Sequence, residues 1–291
     1  MPSIKEQLTE LGLVDDKHIE VLSDDTRDVP GLKVFRDRKT GIIFVDDFYT
    51  GDEAYKEGGY WQKKQKISGA PDYERVMDLE RRLEGYKQFY VGKNILDFGC
   101  GKGQFISHAQ ALTGSVCGVE LEKKCVEDLM AAGVPCVENV NDVENLSIDT
   151  IFGFHSFEHV HEPVEILKEL RQKLVKNGKI VLEVPHAGDF LINRLACKDF
   201  IDFTLYSQHL ILHTRNSLHA FLMHAGFQNI VIQGKQRYPL SNHLNWLAAG
   251  KPGGHKNIVS AIDNEELRNA YENSLQMIDA TDTLVAIAEA G

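Results

Sequence analysis

Three glycines spaced two positions apart lie between residues 97 and 103, directly after a short apolar run. The stretch reads Asp-Phe-Gly-Cys-Gly-Lys-Gly, so Cys100 stands between Gly99 and Gly101, and Gly103 closes the pattern. Glycine tolerates positive φ and has no side chain, which lets the backbone of such a turn approach a ligand closely. A dinucleotide-binding turn has the spacing GxGxxG, whereas position 104 is glutamine here. The tighter spacing therefore differs from that of dinucleotide-binding proteins.

Two carboxylates accompany this turn. Asp97 precedes the first glycine by two positions, at the carboxyl end of a predicted strand, where ligands bind in doubly wound sheets. A carboxylate there suits a ligand with an ammonium group and would repel a pyrophosphate. Glu120 ends the next predicted strand and can accept hydrogen bonds from both hydroxyls of an adenosine ribose, although it could instead only cap the helix that follows. Together with the glycines, the two acids predict a site for an amino acid joined to a nucleoside.

An alternation of strands and helices, which begins at Lys93, must position these residues. Six apolar runs are predicted strands, namely residues 94–98, 115–120, 134–139, 149–155, 179–185 and 229–234. Their alternation with helical stretches predicts an α/β fold, with a doubly wound, mostly parallel sheet and helices on both faces. The helix of residues 164–178 is expected to end at Asn177-Gly178. A last apolar run, residues 282–288, is expected to return antiparallel beside the sixth strand.

The remaining sequence divides into a lead-in and an insertion. Residues 1–90 form a charged lead-in subdomain. It contains a predicted pair of short strands that turn at Thr40-Gly41 and an amphipathic helix over residues 72–90. Residues 91–291 form the ligand-binding domain. Within that domain, the polar stretch of about residues 235–256 is predicted to be an insertion on the substrate side.

On these motifs, residues 93–233 resemble the class I methyltransferases that use S-adenosylmethionine. The glycine turn matches the first motif of that family, and residues 149–185 resemble its fourth and fifth strands with the loop and helix between them. The resemblance implies a Rossmann-like methyltransferase fold of seven strands, with S-adenosyl-L-methionine as the cofactor. It also implies that Asn139-Val140 flank the adenine and that His155 to Phe157 lie near the sulfonium. The cofactor-binding residues that it implies are Asp97, Gly99, Cys100, Gly101, Gly103, Glu120, Leu121, Asn139, Val140, His155 and Phe157.

Both ends of the chain carry further resemblances. Residues 34–45 and 57–61 look like the zinc-ribbon lead-in of some sugar C-methyltransferases, but Asp37 and Thr40 stand where cysteines are expected. Thiolates hold the zinc in such ribbons, so no metal is expected there. The tail of residues 238–255 resembles bacterial methyltransferases from surface-polysaccharide gene clusters. These resemblances imply a sugar or a sugar nucleotide as the methyl acceptor, with methylation at oxygen, nitrogen or carbon left open.

Three histidines are candidate general bases, and two of them, His155 and His186, lie at the carboxyl edge of the predicted sheet. His155 follows the fourth strand, His186 follows the fifth, and His209 precedes the helix that leads into the sixth. Histidine is the usual base near neutral pH, and methyl transfer requires a base wherever the acceptor must lose a proton. His155 could instead form a wall of the cofactor site, and the other two could be structural. Glu158, His159 and His161 invite a metal interpretation, but a metal site needs at least three converging ligands. A turn that precedes a helix rarely provides them alone, so no bound metal is expected.

Charge and composition limit the partners. The formal net charge is -11, whereas a protein whose main partner is a nucleic acid presents a basic face. The five cysteines show no CxxC spacing, which suits reduced thiols. No run approaches the roughly 18 apolar residues of a transmembrane helix, and the first residues lack the features of a signal peptide. We therefore expect a cytoplasmic protein with a small-molecule acceptor, no nucleic-acid partner and no membrane insertion.

Two other functions stay open at this point. One is a catalytically silent protein that keeps the cofactor-binding fold in order to bind partners. The other is a nicotinamide-dependent oxidoreductase on a similar sheet. Binding of the cofactor without methyl transfer would indicate the first, and binding of NAD would indicate the second. The sequence leaves the oligomeric state open.

Overall fold

The computed structural model describes residues 2–46, 48 and 72–291. Residues 57–61, which carry part of the zinc-ribbon resemblance, lie outside the described residues. The strands, in chain order, are β1 (Ile19–Ser23), β2 (Val34–Asp37), β3 (Ile43–Val45), β4 (Asn94–Phe98), β5 (Ser115–Val119), β6 (Cys136–Val137), β7 (Ile148–Phe154), β8 (Leu174–Pro185), β9 (Ile211–Leu212), β10 (Phe227–Lys235) and β11 (Thr283–Ala290). The helices are α1 (Ile4–Glu10), α2 (Asp72–Gly85), α3 (Lys87–Tyr90), α4 (Gln104–Ala109), α5 (Lys123–Ala131), α6 (Pro163–Lys173), α7 (Phe190–Asn193), α8 (Lys198–Thr204), α9 (Arg215–His224), α10 (Leu240–Ala249) and α11 (Glu265–Met277). Among these helices, none has both the length and the apolar character that crossing a bilayer requires.

Seven strands form the central sheet, in the order β10-β11-β8-β7-β4-β5-β6. The inner strands β8, β7, β4, β5 and β6 pair in parallel. The last strand, β11, lies between β8 and β10 and is antiparallel to both. The predicted doubly wound, mostly parallel sheet is therefore confirmed, and so is the antiparallel return of the final apolar run.

Both faces of this sheet are buried, which explains why its strands read as continuous apolar runs. Neighbouring residues of β7 point to opposite faces: Ile151 belongs to one hydrophobic cluster, and Phe152 belongs to another. The first cluster also contains Ile4 and Leu8 of α1. The beginning of the chain thus shares a core with the central sheet, and the domain boundary at residue 90 stays a prediction.

A smaller sheet joins the lead-in to a distant part of the chain. Its order is β1-β2-β3-β9, so residues 211–212 complete the predicted pair of short strands. Gly41 adopts a positive φ of 75° in the turn between β2 and β3, as that prediction requires. Asp37, at one of the expected cysteine positions, accepts hydrogen bonds through Oδ1 from the backbone N–H groups of Lys39 and Thr40. A carboxylate therefore closes the turn where the resembling ribbons have thiolates.

Helix α6 ends earlier than expected. The sequence predicts an end at Asn177-Gly178, but the helix stops at Lys173 and β8 begins at Leu174. Leu174 is already extended and pairs with Ile148 of β7. Asn177, with φ at 60°, takes the left-handed conformation inside the strand. The prediction was wrong because strand pairing of Leu174 ends the helix before the glycine signal is reached.

Candidate active site

The glycine turn follows β4 and has no room for a Cβ at Gly99 or Gly103. Gly99, Gly101 and Gly103 all have positive φ, at 70°, 56° and 65°. A Cβ built on Gly99 would lie 2.5 Å from the Cβ of Ser156, and one on Gly103 would lie 2.3 Å from Cδ2 of Leu129. Both the conformation and the contacts therefore require glycine at these positions. The backbone N–H groups of this turn are thus brought close to whatever binds at the edge of the sheet.

Glu120 fixes this turn against the next strand. Its Oε2 accepts a hydrogen bond of 2.8 Å from the backbone N–H of Gly101, and its Oε1 accepts one of 3.0 Å from Glu122, which precedes α5. Glu120 therefore does contact the start of the following helix, as the alternative interpretation stated. Each carboxylate oxygen has two lone pairs, so both oxygens can still accept a ribose hydroxyl. Leu121, beside it, is partly exposed.

Asp97 is a buried acid with an unusual affinity for its proton. Asp97 lies at the carboxyl end of β4 and is only 3% exposed. Burial raises its pKa to about 7; the charge of Arg82 opposes this shift and that of Glu120 adds to it. A carboxylate loses stability when it is taken out of water without a partner. A cationic ligand beside Asp97 would remove that penalty, which is the chemistry expected of a site for an ammonium group.

The predicted adenine side lies at the end of β6. Backbone bonds join this edge to β5, since the N–H of Glu120 donates to the carbonyl of Val137 at 3.0 Å. Asn139 is exposed, and its Oδ1 accepts a hydrogen bond from the N–H of Asn141. Val140 is only 4% exposed and packs in the core. An adenine at this position would therefore meet the backbone and Asn139, while the contact with the Val140 side chain stays a prediction.

His155 follows β7 in a strained conformation. Its φ of 52° lies in the left-handed region, which is uncommon for residues other than glycine. Its N–H donates to the carbonyl of Glu183 at 2.8 Å, and its Nδ1 lies 3.5 Å from Oε1 of Glu158. Its Nε2 is buried without a hydrogen-bond partner in the described part of the chain. Burial, together with the charges of Arg237 and Arg82, holds the pKa of His155 well below its ordinary value.

A group of charged residues that the sequence did not single out surrounds the end of β8. Glu183 is fully buried and accepts hydrogen bonds of 2.7 to 3.0 Å from Arg81, Arg82 and the hydroxyl of Tyr86. Burial alone would raise the pKa of Glu183, but Arg82 and Arg81 hold it well below its usual range. The only sequence signal for this charged group was the pair of adjacent arginines in the predicted amphipathic helix. Nothing in the sequence pointed to their partner Glu183, which lies about a hundred positions further on.

The same helix also contacts the predicted insertion. Asp78 of α2 forms hydrogen-bonded ion pairs with Arg81 and with Arg237, which follows β10. Its neighbour Arg82 places its guanidinium carbon 4.2 Å from the centre of the Phe154 ring, at the end of β7. These contacts fix α2 over the carboxyl ends of β7 and β8. The lead-in helix therefore forms one wall of the candidate active site.

The three candidate bases do not converge. His186 is 2% exposed, with Nδ1 2.9 Å from the carbonyl oxygen of Thr281 and Nε2 3.9 Å from Oδ1 of Asp279. Burial lowers its pKa. His209 instead lies beside His159, with ring centres 5.1 Å apart. Of the three, His155 is the one that the structure places next to the Glu183 cluster, and the geometry lends no support to His186 as a base.

Phe157 lies in the core. It is 1% exposed and stacks on His213 at a centroid distance of 5.5 Å, with Phe221 edge-on at 6.3 Å. Its side chain thus supports the loop after β7 from below. Its expected position near the sulfonium stays a prediction that concerns the backbone of this loop more than the ring.

The polar and aromatic residues of the predicted insertion form a folded element. Residues 240–249 make helix α10, and most of the polar side chains on it are buried. Asn242 accepts a hydrogen bond from the N–H of Gly253, while Trp246 packs against Phe200 and Phe203. These contacts are internal to the chain. The region is therefore a packed helical element, and its position on the substrate side stays a prediction.

A family model described as a methyltransferase domain matches residues 72–232, which is more than half of the chain. The chain belongs to the S-adenosylmethionine-dependent methyltransferases. This result confirms the class I resemblance of the sequence, and the cofactor is S-adenosylmethionine. The residues of this methyltransferase that match the family model begin with α2, so they include the helix that contacts Glu183.

Solved methyltransferases share the fold at low sequence identity. An S-adenosylmethionine-dependent methyltransferase from Archaeoglobus fulgidus is 17% identical with a TM-score of 0.54, over 79% of this chain and 99% of that chain. A possible histamine N-methyltransferase from Thermotoga maritima is 14% identical with a TM-score of 0.51, over 82% and 99%. The 1,6-didemethyltoxoflavin-N1-methyltransferase of Burkholderia thailandensis is 14% identical with a TM-score of 0.51, over 85% and 94%. The likeness shows the Rossmann-like fold alone, and no curated protein matches this methyltransferase significantly.

Proposed function

We propose that this methyltransferase transfers the methyl group of S-adenosylmethionine to a small polar acceptor, a sugar or a sugar nucleotide. We further propose that Asp97, the glycine turn and Glu120 bind the cofactor. The observation that carries this site is the buried Asp97, with a pKa raised to about 7, beside a turn in which Gly99 and Gly103 have no space for a Cβ. Such a site favours a cation lying against bare backbone.

Each proposed residue has a distinct task. Bound S-adenosylmethionine supplies a methyl group on a positively charged sulfur. Asp97 binds the ammonium group, and Glu120 accepts hydrogen bonds from the ribose hydroxyls. His155 forms a wall of the cofactor site, where burial and the charges of Arg237 and Arg82 keep its ring neutral beside the positively charged sulfur. The Glu183 cluster holds the backbone of His155 in place.

Three observations favour a small polar acceptor. Histidines and a carboxylate lie together after the end of β7, and such groups can hydrogen-bond to hydroxyls. The net charge of -11 disfavours nucleic acids. The related Burkholderia structure holds a small molecule, 1,6-didemethyltoxoflavin, together with S-adenosylhomocysteine. The resemblance of residues 238–255 to surface-polysaccharide methyltransferases favours a sugar among the small molecules.

Calorimetric titration tests the cofactor site. We expect the parent protein to bind S-adenosylmethionine and S-adenosylhomocysteine but not NAD. Asp97→Asn and Glu120→Gln should each weaken binding by roughly 10-fold or more, since each removes a charged hydrogen-bond partner. Asp128→Asn is the matched control, because Asp128 pairs with Lys124 on the exposed surface of α5. Unchanged affinity in both site variants would contradict the assignment, and heat with NAD alone would favour an oxidoreductase.

Methyl transfer tests the acceptor. The protein is incubated with isotopically labelled S-adenosylmethionine and a panel of sugar nucleotides, oligosaccharides, small amines and RNA. Mass spectrometry then identifies labelled products. Label in a sugar supports the proposal, whereas label only in an amine or in RNA overturns the sugar assignment. Cofactor binding with no transfer to any member of the panel would favour the catalytically silent alternative.

A further inference from the structure

Three potential metal ligands converge beside the candidate active site. Glu158, His159 and His209 each offer one ligand atom, and these atoms all lie within 4.8 Å of one another. Glu158 and His159 belong to the short turn after β7, while His209 lies two residues before β9. The sequence predicted no metal at Glu158, His159 and His161, because one turn rarely makes three ligands converge. The fold instead brings His209 to Glu158 and His159 from a segment fifty positions further on.

From this convergence we propose that Glu158, His159 and His209 bind a divalent transition-metal ion. Two imidazoles and one carboxylate form a donor set that suits zinc and its neighbours in the first transition series. Magnesium prefers an all-oxygen environment, so it is a poor match. Bonds of about 2.0–2.2 Å to such an ion require the ligand atoms to approach one another by roughly 1 Å. Three protein ligands leave at least one coordination position open.

The surroundings of His159 orient it as a ligand. Its Nδ1 lies 2.7 Å from the carbonyl oxygen of Gln208, which can only accept a hydrogen bond. The ring therefore carries its proton on Nδ1, which directs the lone pair of Nε2 towards Oε1 of Glu158, 4.0 Å away. Histidines that ligate metals commonly donate their other ring N–H to a carbonyl in this way, which fixes their tautomer and orientation.

The two segments that supply the ligands are fixed to one another. The N–H of Leu210 donates a hydrogen bond of 2.9 Å to the backbone carbonyl of Glu158. The ring of His209 lies edge-on to Tyr206, at a centroid distance of 5.6 Å. Glu158 itself is 1% exposed, whereas His159 and His209 are partly exposed. The carboxylate is therefore held inside the protein, and the two imidazoles lie nearer to its surface.

The position of the site suggests what the ion could do, and this step rests on the proposed function. Glu158 contacts both His159 and His155, so a metal at Glu158 would lie next to the proposed wall of the cofactor site. A metal ion binds an oxygen ligand in its open position and lowers the pKa of a bound hydroxyl group. We therefore infer that the ion would bind the acceptor through one of its oxygens, which favours hydroxyl groups as the methylated position.

Metal binding is tested on the full chain without a histidine tag. The protein is stripped with a chelator, titrated with Zn²⁺ or Co²⁺, and its metal content is measured after desalting. We expect one equivalent of metal, with a visible Co²⁺ absorption band typical of nitrogen and oxygen ligands. His209→Ala should weaken binding by roughly 100-fold. His219→Ala is the control, because His219 is exposed on α9, and it should bind metal as the parent does.

Several results would overturn the site. These are less than one equivalent of metal in the parent, equal affinity in His209→Ala and the parent, or displacement of Zn²⁺ by equimolar Mg²⁺. His159→Ala and Glu158→Gln are the second and third variants, and S-adenosylhomocysteine binding checks that each is folded. Cofactor binding that is retained while metal binding fails contradicts only the metal site. Failure of cofactor binding in the parent contradicts the proposed function instead, since none of the three ligands belongs to the proposed cofactor site.

Discussion

The two halves of the candidate active site are built by different means. At the ends of β4 and β5, the proposed cofactor half consists of a glycine turn and two carboxylates, all within residues 97–120. At the ends of β7 and β8, the proposed acceptor half consists of side chains from distant segments, with Glu183 hydrogen-bonded to α2 about a hundred positions away. The cofactor half therefore depends on local backbone conformation. The acceptor half depends on buried charges that only the complete fold brings together.

This difference predicts how each half responds to change. A backbone site tolerates substitution of side chains that point away from it but not a new Cβ within it. A site of buried charges fails when one charge is removed, because the partner is left without compensation. The comparison is sharpened by four measurements, which we give in order of decreasing expected effect.

Glu183→Gln should have the largest effect on stability. The substitution leaves Arg81 and Arg82 beside a neutral amide inside the protein, and breaking a buried pair costs about 3–5 kcal/mol. Chemical denaturation measures this loss. Glu165→Gln, at an exposed ion pair with Lys168, should leave the stability nearly unchanged. Equal effects of the two substitutions would mean that the acceptor half does not depend on buried charge.

Gly103→Ala tests the cofactor half. Its φ of 65° and the contact with Leu129 add a steric clash to the strain of the left-handed conformation, together about 3 kcal/mol. Gly133→Ala separates the two causes, because Gly133 has a φ of 78° and no atom within 4 Å of its Cβ position. Its cost should be that of the conformation alone, about 1 kcal/mol. If the unfolding curves of the two variants coincide, a steric clash at Gly103 is excluded.

His213 should make the acceptor half sensitive to acid. Burial lowers the pKa of His213 to about 3, so the folded protein keeps this ring neutral while the unfolded chain protonates it below about 6.5. Stability is therefore lost as the pH falls from 7, by about 2 kcal/mol at pH 5. His213→Phe should remove that part of the acid sensitivity in urea unfolding at the two pH values. His219→Gln, at an exposed position, should keep it.

Asp97 should make stability depend on pH in the opposite direction from His213. Since its folded pKa of about 7 lies above that of the unfolded chain, its stabilising contribution is present at low pH and is lost as the pH rises through 7. Binding of a cationic ligand needs the ionised form, so affinity for S-adenosylmethionine should fall roughly tenfold between pH 7.5 and pH 6. Calorimetry at several pH values measures this. A profile that is equally steep in Asp97→Asn would assign the dependence to another group.

The contrast also explains which parts of the molecule could be predicted. The mostly parallel, doubly wound sheet was predicted from alternating apolar runs, and the antiparallel β11 was expected from one late apolar run. The end of α6 was not predicted, because the pairing of Leu174 with β7 overrides a local signal at Asn177-Gly178. His186 lies at the predicted edge of the sheet, yet its ring contacts the backbone of Thr281. The spacing of residues along the chain contains no information about the direction in which this ring points.

By itself, the sequence determined the fold class and predicted the cofactor half. Glycines that need positive φ and acids that end successive strands act within about two dozen positions, over distances at which local conformation fixes geometry. Only the tertiary structure decided the surroundings of His155, the counter-charges of Glu183 and the meeting of His209 with Glu158. Those contacts join segments far apart in the chain. Their geometry is set by how helices and loops pack across the sheet, which no local pattern specifies.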